Sequence, residues 1–372
     1  MHIRQTVFNG RQGWELDNDA LSLVMLKGGG HIASIRLKER GAVNPLWTPV
    51  WKTIEPWDYR PGHAARYESR LLASICGHNP CLGWFGGPSP DEARQGLPCH
   101  GEAPVARWRL IGGKATARSV QLTCACVLPV AQMRYTRTLH SRRGANLVEV
   151  CERIENLSRR DLPFTMSQHV TVGPPFLEKG VTAFDMPAAA GHTFPKPFGR
   201  PQRLKTDTAF MWPNGPGANG KPVDLRVIGR QYRRSSDFTT QLMDPGREDA
   251  WFSAVNPRLG LLFAGVWRRS DFPWLGNWEE NYGRRQPPWA GRSLTRGMEF
   301  ANTPFPVGLR EAVNLGAFHG RPAFRWLPAR GRVEIDYCLI LTQVPLQVSG
   351  VANIRPCETG FEIDLKTDAA GA

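Results

Sequence analysis

Apolar and polar residues alternate over unusually long runs of this chain, and this alternation limits the folds it can adopt. Every second residue of 120–128 is apolar, and the same period recurs over 333–341, with Glu334 and Asp336 on the opposite face. Successive side chains of a β-strand point to opposite faces, so a period of two predicts strands with one buried face. No stretch shows the 3.6-residue period of an amphipathic helix over three turns. Long strands without intervening helices predict an all-β fold of packed antiparallel sheets.

Further segments of the same kind are separated by turn residues. The chain contains 38 glycines and 31 prolines, spread over its whole length. The additional predicted strands are 21–26, 31–37, 132–140, 146–156, 163–172, 224–230, 259–267 and 353–365. This is more than an immunoglobulin-sized sandwich holds. We expect one large antiparallel two-sheet β-sandwich domain over residues 1–365, with an irregular excursion at 187–222 and a flexible tail at 366–372.

The net charge of +14 comes from 47 basic and 33 acidic residues and raises the question of a nucleic-acid partner. The arginines occur as scattered pairs, and no zinc-finger, helix-turn-helix or RNP pattern accompanies them. Because nucleic-acid binding needs a clustered basic surface, we expect no such partner. Two interpretations stay open: a solvated arginine-rich surface, or an acidic ligand such as a phosphorylated or uronic sugar.

The cysteines and the N-terminus bear on the compartment. None of the eight cysteines forms a C-x-x-C pair, and the sequence MHIRQTVFNG lacks the apolar segment of a secretory signal. No run approaches the roughly 18 apolar residues of a membrane span. We therefore expect a cytoplasmic protein with reduced thiols, no metal site and no membrane association.

The stretch PFTMSQHVTVGPPF, which begins at Pro163, predicts a strand with one small, polar face around an imidazole. The apolar side chains on one face are Phe164, Met166, Val170 and Val172, and the polar ones opposite are Thr165, Ser167, His169 and Thr171. Such a polar face suits the lining of a wet cleft. The alternative is the solvent-exposed outer face that antiparallel sheets commonly have.

Two other stretches carry candidate chemistry. Glu299 lies between Met298 and Phe300, and carboxylates flanked by apolar side chains are desolvated, which suits a general base. The alternative is an isolated surface glutamate. Segment 266–289 holds four tryptophans among carboxylates and amides: Trp267, Trp274, Trp278 and Trp289. Flat aromatic plates with polar neighbours suit a sugar ring, although tryptophans also fill cores.

Taken in order, these signals resemble the aldose 1-epimerase (galactose mutarotase-like) superfamily over about residues 12 to 345. LDNDALSLVMLKGGGHIASIRLK, followed by NPLW, is similar to the family's opening strands around a Gly-rich turn. GLPCHGEAPVARW resembles its first His-Gly motif at His100, QHVTVGPPF its second histidine at His169, and GMEFANTPFP its late glutamate at Glu299. The family's early Asn-Arg pair is not plain here, with Arg70 and Asn79 as candidates.

The resemblance implies a galactose mutarotase-like supersandwich and an enzyme that interconverts the α and β anomers of a sugar. Glu299 would take the proton of O1, His169 would protonate the ring oxygen O5, and His100 would polarise that oxygen. The implied substrate-binding residues are Arg70, Asn79, Asp271, Trp274, Trp278 and Glu279. No cofactor or metal is implied, and the protein would act as a monomer or homodimer on a sugar or sugar derivative.

Two other functions stay open. The chain could bind carbohydrate without catalysis, or act on a larger glycan. Hydrolysis of a glycan by paired carboxylates is disfavoured because Glu279 and Glu280, if on a strand, point to opposite faces.

Overall fold

The alternating segments form two large antiparallel sheets. The computed structural model describes residues 1–39, 43–358 and 360–367. In chain order the strands are β1 (His2–Phe8), β2 (Arg11–Asp17), β3 (Leu21–Leu26), β4 (Ile32–Leu37), β5 (His78–Gly83), β6 (Arg109–Ala115), β7 (Ser119–Leu128), β8 (Met133–Arg142), β9 (Leu147–Asn156), β10 (Leu162–Val172), β11 (Ala183–Asp185), β12 (Ala188–Thr193), β13 (Ala209–Phe210), β14 (Asn214–Pro216), β15 (Pro222–Asp224), β16 (Ser235–Met243), β17 (Asp249–Asn256), β18 (Leu261–Arg268), β19 (Trp274–Asn281), β20 (Leu294–Ala301), β21 (Ala317–Phe318), β22 (Arg321–Pro322), β23 (Arg325–Leu327), β24 (Arg332–Gln343), β25 (Val348–Cys357) and β26 (Gly360–Thr367).

The first sheet has 12 strands in the order β1-β2-β3-β4-β5-β10-β20-β19-β16-β12-β13, with β23 also paired to β10. The second has 8 strands in the order β11-β17-β18-β24-β9-β8-β7-β6. The pairs β14-β15, β21-β22 and β25-β26 are separate two-stranded ribbons. The all-β, two-sheet antiparallel architecture is therefore confirmed.

Helices are short and connect strands. They are α1 (Ala64–Tyr67), α2 (Arg70–Ser74), α3 (Pro90–Arg94) and α4 (Leu309–Leu315), with 3-10 turns at Pro56–Asp58, Pro61–His63 and Ala103–Val105. The longest helix among the described residues, α4, has 7 residues, in agreement with the missing helical period. None of the helices in this part of the chain has the length and apolar character needed to cross a membrane.

Most of the predicted strands are present, but two predictions are wrong. The predicted strand 224–230 is absent except for its first residue, which ends β15 at 222–224. The strand ends there because the Asp224 carboxylate accepts a hydrogen bond from the Arg226 backbone N–H at 2.8 Å and forms a turn. Segment 353–365 is not one strand but parts of two, since Cys357 pairs with Gly360 across the β25-β26 hairpin.

The excursion and the tail also differ from expectation. Residues 188–193 of the excursion form β12, which pairs with β16 and extends the first sheet. Strand β26 continues through Lys366 and Thr367, and residues 368–372 of the predicted tail lie outside the described residues. The assignment of residues 1–365 to one domain stays a prediction.

Two apolar clusters lie on opposite faces of the first sheet. The main core is shared by the two sheets: Met166 and Val170 of β10 belong to the same cluster as Leu122 and Leu139 of the second sheet. On the outer face, a second cluster joins sheet residues to loop residues, namely Trp47, Leu71, Phe85, Phe238, Trp278 and Trp289. Loops therefore cover part of the outer face and bury its polar residues.

Candidate active site

His169 and Glu299 lie side by side because of strand pairing. In the antiparallel pair β10-β20, His169 is directly opposite Glu299, and on the other side of β10 it is opposite Asn79 of β5. Directly opposed residues project from the same face of a sheet with their Cβ atoms close together. All three side chains are buried on the outer face, beneath the loops.

The His169–Glu299 contact is close and incompletely satisfied. Nε2 of His169 lies 2.9 Å from Oε1 of Glu299, while Nδ1 lies 2.9 Å from the Thr171 hydroxyl. Only 4% of His169 and 2% of Glu299 is exposed. Despite the short distance, no described residue donates a well-aligned hydrogen bond to Oε1 of Glu299. A buried carboxylate oxygen in this state can accept a proton or hydrogen bond from a ligand hydroxyl.

His100 approaches the pair from a loop. Its ring centroid is 5.3 Å from that of His169, and its backbone has a positive φ of 62°. The Gly86 N–H donates to Nδ1 of His100 at 3.1 Å. Burial, with smaller effects of His169 and Arg284, lowers the pKa of His100 well below its usual value. The imidazole is therefore neutral with its proton on Nε2, which is left as a hydrogen-bond donor.

Gly101 fixes the His100 loop to the sheet. It bridges to Leu82 of β5 and has a φ of +80°, and a Cβ atom there would lie 1.9 Å from the Leu82 carbonyl oxygen. Only glycine fits such a left-handed position against backbone. Gly101 therefore lets the loop approach β5 closely, which places His100.

Aromatic side chains and one arginine enclose a cavity of about 200 Å³ above the pair. Its lining includes Phe198, Phe238, Trp278 and Trp289 together with His100, His169 and Glu299. The Arg284 guanidinium lies 5.2 Å from the Trp278 ring centroid and 4.9 Å from that of Trp289. The indole N–H groups of Trp278 and Trp289 are buried without a hydrogen-bond partner among the described residues. The cavity thus has flat apolar walls, and Glu299 in its lining has a carboxylate oxygen without a hydrogen bond from the described residues.

The charge of Arg284 is balanced nearby. Its Nε lies 3.4 Å from Oε2 of Glu280, whose Oε1 accepts the backbone N–H groups of Gly283 and Arg284 at 2.6 and 2.8 Å. Two carboxylates, Glu68 and Glu299, also line the cavity. The lining therefore has no excess of positive charge.

A buried polar network supports β10 from the other side. The amide of Gln168, next to His169, accepts hydrogen bonds from Arg137 and Tyr337 at 3.2 Å each and donates to Glu152 at 2.6 Å. Arg137 lies 2.6 Å from Glu152, and neither is exposed to solvent. Sequence analysis did not single out these residues, because the partners are separated along the chain.

Of the nine predicted site residues, four lie away from the cavity. Arg70 lines a different groove, described below. Asp271 lies in the turn after β18 and pairs with Arg325 at 3.4 Å, and burial raises the pKa of its carboxyl. Trp274 is on the outer face of β19 but packs at 5.7 Å on the Phe318 ring.

Glu279 points to the inner face and is held by arginines. Its Oε2 lies 2.5 Å from Arg203 and 3.0 Å from Arg296, and the Ser235 hydroxyl donates to Oε1 at 2.8 Å. Glu279 and Glu280 thus face opposite ways, as the strand period predicts. The structure brings together His100, His169, Glu299 and Trp278, and it places Asn79 beside His169 with its amide nitrogen unpartnered among the described residues.

Several lining residues were missed by sequence analysis, namely Glu68, Phe198, Phe238 and Arg284, whereas Trp289 belongs to the tryptophan-rich segment that it identified. Arg284 belongs to the Arg284-Arg285 pair that directly follows the tryptophan-rich strand, so its position in the sequence could have indicated that it lies near the site. Phe198 comes from the excursion, and nothing in its local sequence indicates which sheet face it covers.

One group of residues has the spacing of metal ligands. Ligand atoms of His2, Glu15 and Asp17 lie within 4.8 Å of one another at the β1-β2 edge. Glu15 already pairs with Arg4 and Asp17 with Lys38 at 2.7 Å, which accounts for both carboxylates.

The fold is that of known sugar-epimerase-like structures. No protein-family profile and no curated protein matches the sequence. A provisional aldose 1-epimerase from Klebsiella pneumoniae superposes with a TM-score of 0.66 at 15% identity, covering 92% of this chain and 83% of that one. A galactose mutarotase-like protein from Clostridium acetobutylicum gives 0.60 at 12% identity, with 92% and 99% covered. A galactose mutarotase related enzyme from Lactobacillus acidophilus gives 0.55 at 13%, with 90% and 98% covered. The chain therefore has the galactose mutarotase-like fold.

Proposed function

We propose that this protein is an aldose 1-epimerase-like enzyme that interconverts the α and β anomers of a monosaccharide. The observation that carries the proposal is the buried pair of His169 Nε2 and Glu299 Oε1, 2.9 Å apart in an aromatic-walled cavity. The fold of the structural neighbours supports the same reaction class.

Mutarotation needs a base and an acid at one carbon. Glu299 accepts the proton of the O1 hydroxyl, while His169 gives a proton to O5. The C1–O5 bond then breaks and C1=O1 forms. After rotation about C1–C2, the reverse transfers close the ring as the other anomer. Because O1 and O5 are both bonded to C1, acid and base must be close together, as these side chains are.

Two neighbours complete the proposed site. The Nε2–H of neutral His100 donates a hydrogen bond to the sugar and increases the polarisation of the ring oxygen. The Thr171 hydroxyl can donate to or accept from Nδ1 of His169, so it serves both protonation states of the ring. Thr171 is thus a positioning residue.

Size and charge favour a neutral single sugar. The cavity of about 200 Å³ is smaller than the roughly 300–1,000 Å³ of typical ligand pockets, which disfavours a larger glycan. With Glu68 and Glu299 in the lining and Arg284 balanced by Glu280, an added phosphate or carboxylate would meet more negative than positive charge. We propose glucose or galactose ahead of glucose 6-phosphate or glucuronate.

The test is anomer exchange, followed by NMR saturation transfer on these four sugars. Glu299→Gln and His169→Asn should each lower the exchange rate by about 10²–10⁴-fold while leaving the fold intact. The matched controls are Glu311→Gln, an exposed glutamate paired with Lys196, and His140→Asn, a histidine paired with Glu149 outside the cavity. Both controls should retain the full rate.

Two results would contradict the proposal. Full exchange in both site variants would remove these side chains from the chemistry. Sugar binding that survives Glu299→Gln, with no catalysed exchange in the unmodified protein, would instead establish a non-catalytic carbohydrate-binding protein.

A further inference from the structure

A second concavity lies on the other side of the His100 loop. It has a volume of about 730 Å³, against about 200 Å³ for the cavity, and no residue lines both. Gly96 and Pro98 line this groove, whereas Cys99 and His100 of the same loop line the cavity. We call it the arginine groove, because Arg70, Arg107, Arg109 and Arg134 line it.

The arginine groove has an uncompensated positive charge. Among the described residues, Arg70, Arg107 and Arg109 form no ion pair with a carboxylate, and Arg134 only approaches Glu155 at 3.6 Å. These arginines come from α2, from the loop before β6, from β6 itself and from β8. Side chains from separate elements that converge on one concavity, all with the same charge, focus a positive potential there.

The one carboxylate in the lining does not neutralise them. Oε2 of Glu102 accepts the Ala131 backbone N–H at 2.7 Å, and Oε1 accepts that of Val130 at 3.3 Å. Glu102 therefore closes the β7-β8 turn. It accepts these bonds from neutral backbone groups and forms no ion pair with the arginines among the described residues, so one negative charge stands against four positive ones.

Arg107 is oriented for ligand binding. Its guanidinium lies 4.4 Å from the centroid of the Trp57 ring. Stacking on an aromatic face holds the planar group in place and leaves the N–H donors at its edge free. An edge of this kind matches the paired oxygens of phosphate and carboxylate.

The floor of the arginine groove is apolar. Ile111 and Val127, which line it, are 62% and 54% exposed, and Ala125 and Pro129 lie beside them. A volume of about 730 Å³ is typical of small-molecule sites, which combine apolar walls with a few charged groups. An extended nucleic acid would need a longer basic track than one such groove.

We propose that the arginine groove is a second binding site, which takes a small organic anion with two or more phosphate or carboxylate groups on an apolar body. The site is separate from the proposed sugar cavity and does not depend on its chemistry. It also gives part of the arginine excess a specific role.

The test is isothermal titration calorimetry with three probes: ADP, pyrophosphate and citrate. We expect ADP to bind more tightly than pyrophosphate, because only ADP also covers the apolar floor, and citrate reports whether carboxylates suffice. Arg107→Ala and Arg109→Ala should each weaken binding by about tenfold or more, as expected for a lost charged hydrogen bond. Both side chains are exposed, so the fold should tolerate the changes.

The matched control is Arg118→Ala, an exposed arginine in the β6-β7 turn that does not line the groove. It should leave affinity unchanged. No binding of any probe, or equal weakening by Arg118→Ala, would overturn the proposal. Glu299→Gln should also leave ADP binding unchanged, and a loss there would place the anion in the sugar cavity instead. Equal affinity for ADP and pyrophosphate would refute the part assigned to the apolar floor.

Discussion

Removing Arg137 alone should destabilise the protein more than removing it together with Glu152. Both side chains are fully buried between the sheets, with Nη2 2.6 Å from Oε1. Arg137→Met leaves the Glu152 carboxylate buried, with hydrogen bonds only from Gln168 and Tyr337 among the described residues. Breaking a buried ion pair from one side costs about 3–5 kcal/mol of the free energy of unfolding. The lost Arg137 hydrogen bonds to Gly30 and Gln168 add about 2 kcal/mol.

The double variant Arg137→Met/Glu152→Leu removes both charges together. What remains is the loss of four hydrogen bonds, two with Gln168 and one each with Gly30 and Tyr337. Each is worth about 1 kcal/mol, so we expect a cost of about 4 kcal/mol. The double variant should therefore be more stable than Arg137→Met by at least about 1 kcal/mol. Urea unfolding of the wild type, of Arg137→Met, of Glu152→Leu and of the double variant gives the coupling free energy between the two side chains.

The same two strands supply the control. Arg134 and Glu155, directly opposed on β8 and β9 like Arg137 and Glu152, are partly exposed and 3.6 Å apart. The coupling between Arg134→Met and Glu155→Leu should be below about 1 kcal/mol, because water screens the pair. The reasoning would be refuted if the losses in free energy of unfolding at Arg137 and Glu152 were additive. Equal coupling free energies for the buried pair and the Arg134–Glu155 pair would refute it as well.

Further predictions concern acid stability, the His100 loop and sugar affinity. Burial lowers the pKa of His31, His78 and His100 well below the usual value. Below about pH 6.5 the unfolded chain then binds more protons than the folded one. The free energy of unfolding should therefore decrease as the pH is lowered, by up to about 1.4 kcal/mol per histidine and pH unit. Urea unfolding at pH 7.5 and 5.5 checks this, and equal values would contradict it. Gly101→Ala should abolish anomer exchange and lower the melting temperature, whereas Gly96→Ala, at a similar φ of +80° but in open space, should cost only about 1 kcal/mol. Trp278→Ala should weaken glucose binding about tenfold by calorimetry, and unchanged affinity would remove that wall from the site.

Much of the fold could be predicted from the sequence because strand alternation is local. The polar face of β10 was identified in this way, and so was the opposite orientation of Glu279 and Glu280. The expected alternative of a solvent-exposed face at His169 is wrong, because loops far along the chain bury it.

The remaining site residues depend on contacts that no local pattern contains. Glu279 looked like a ligand group, but Arg203 from the excursion and Arg296 from the next strand take up its charge. Arg70 lies on the groove side of α2, whereas its neighbours Ser69 and Leu71 face the cavity. The rotation of successive side chains around this short helix decides which concavity each residue faces, and the local sequence does not indicate it.

The direct opposition of His169 and Glu299 across two hydrogen-bonded strands has an engineering consequence. Their spacing is set by main-chain pairing, whereas Phe198, Arg284 and Trp289 above them belong to connecting segments. A segment graft that leaves β10 and β20 untouched would exchange the roof of the cavity and keep the proposed acid and base in place. In the proposed enzyme, selectivity and reactivity would thus be carried by separable pieces of the chain, and the roof could be redesigned independently of the pair beneath it.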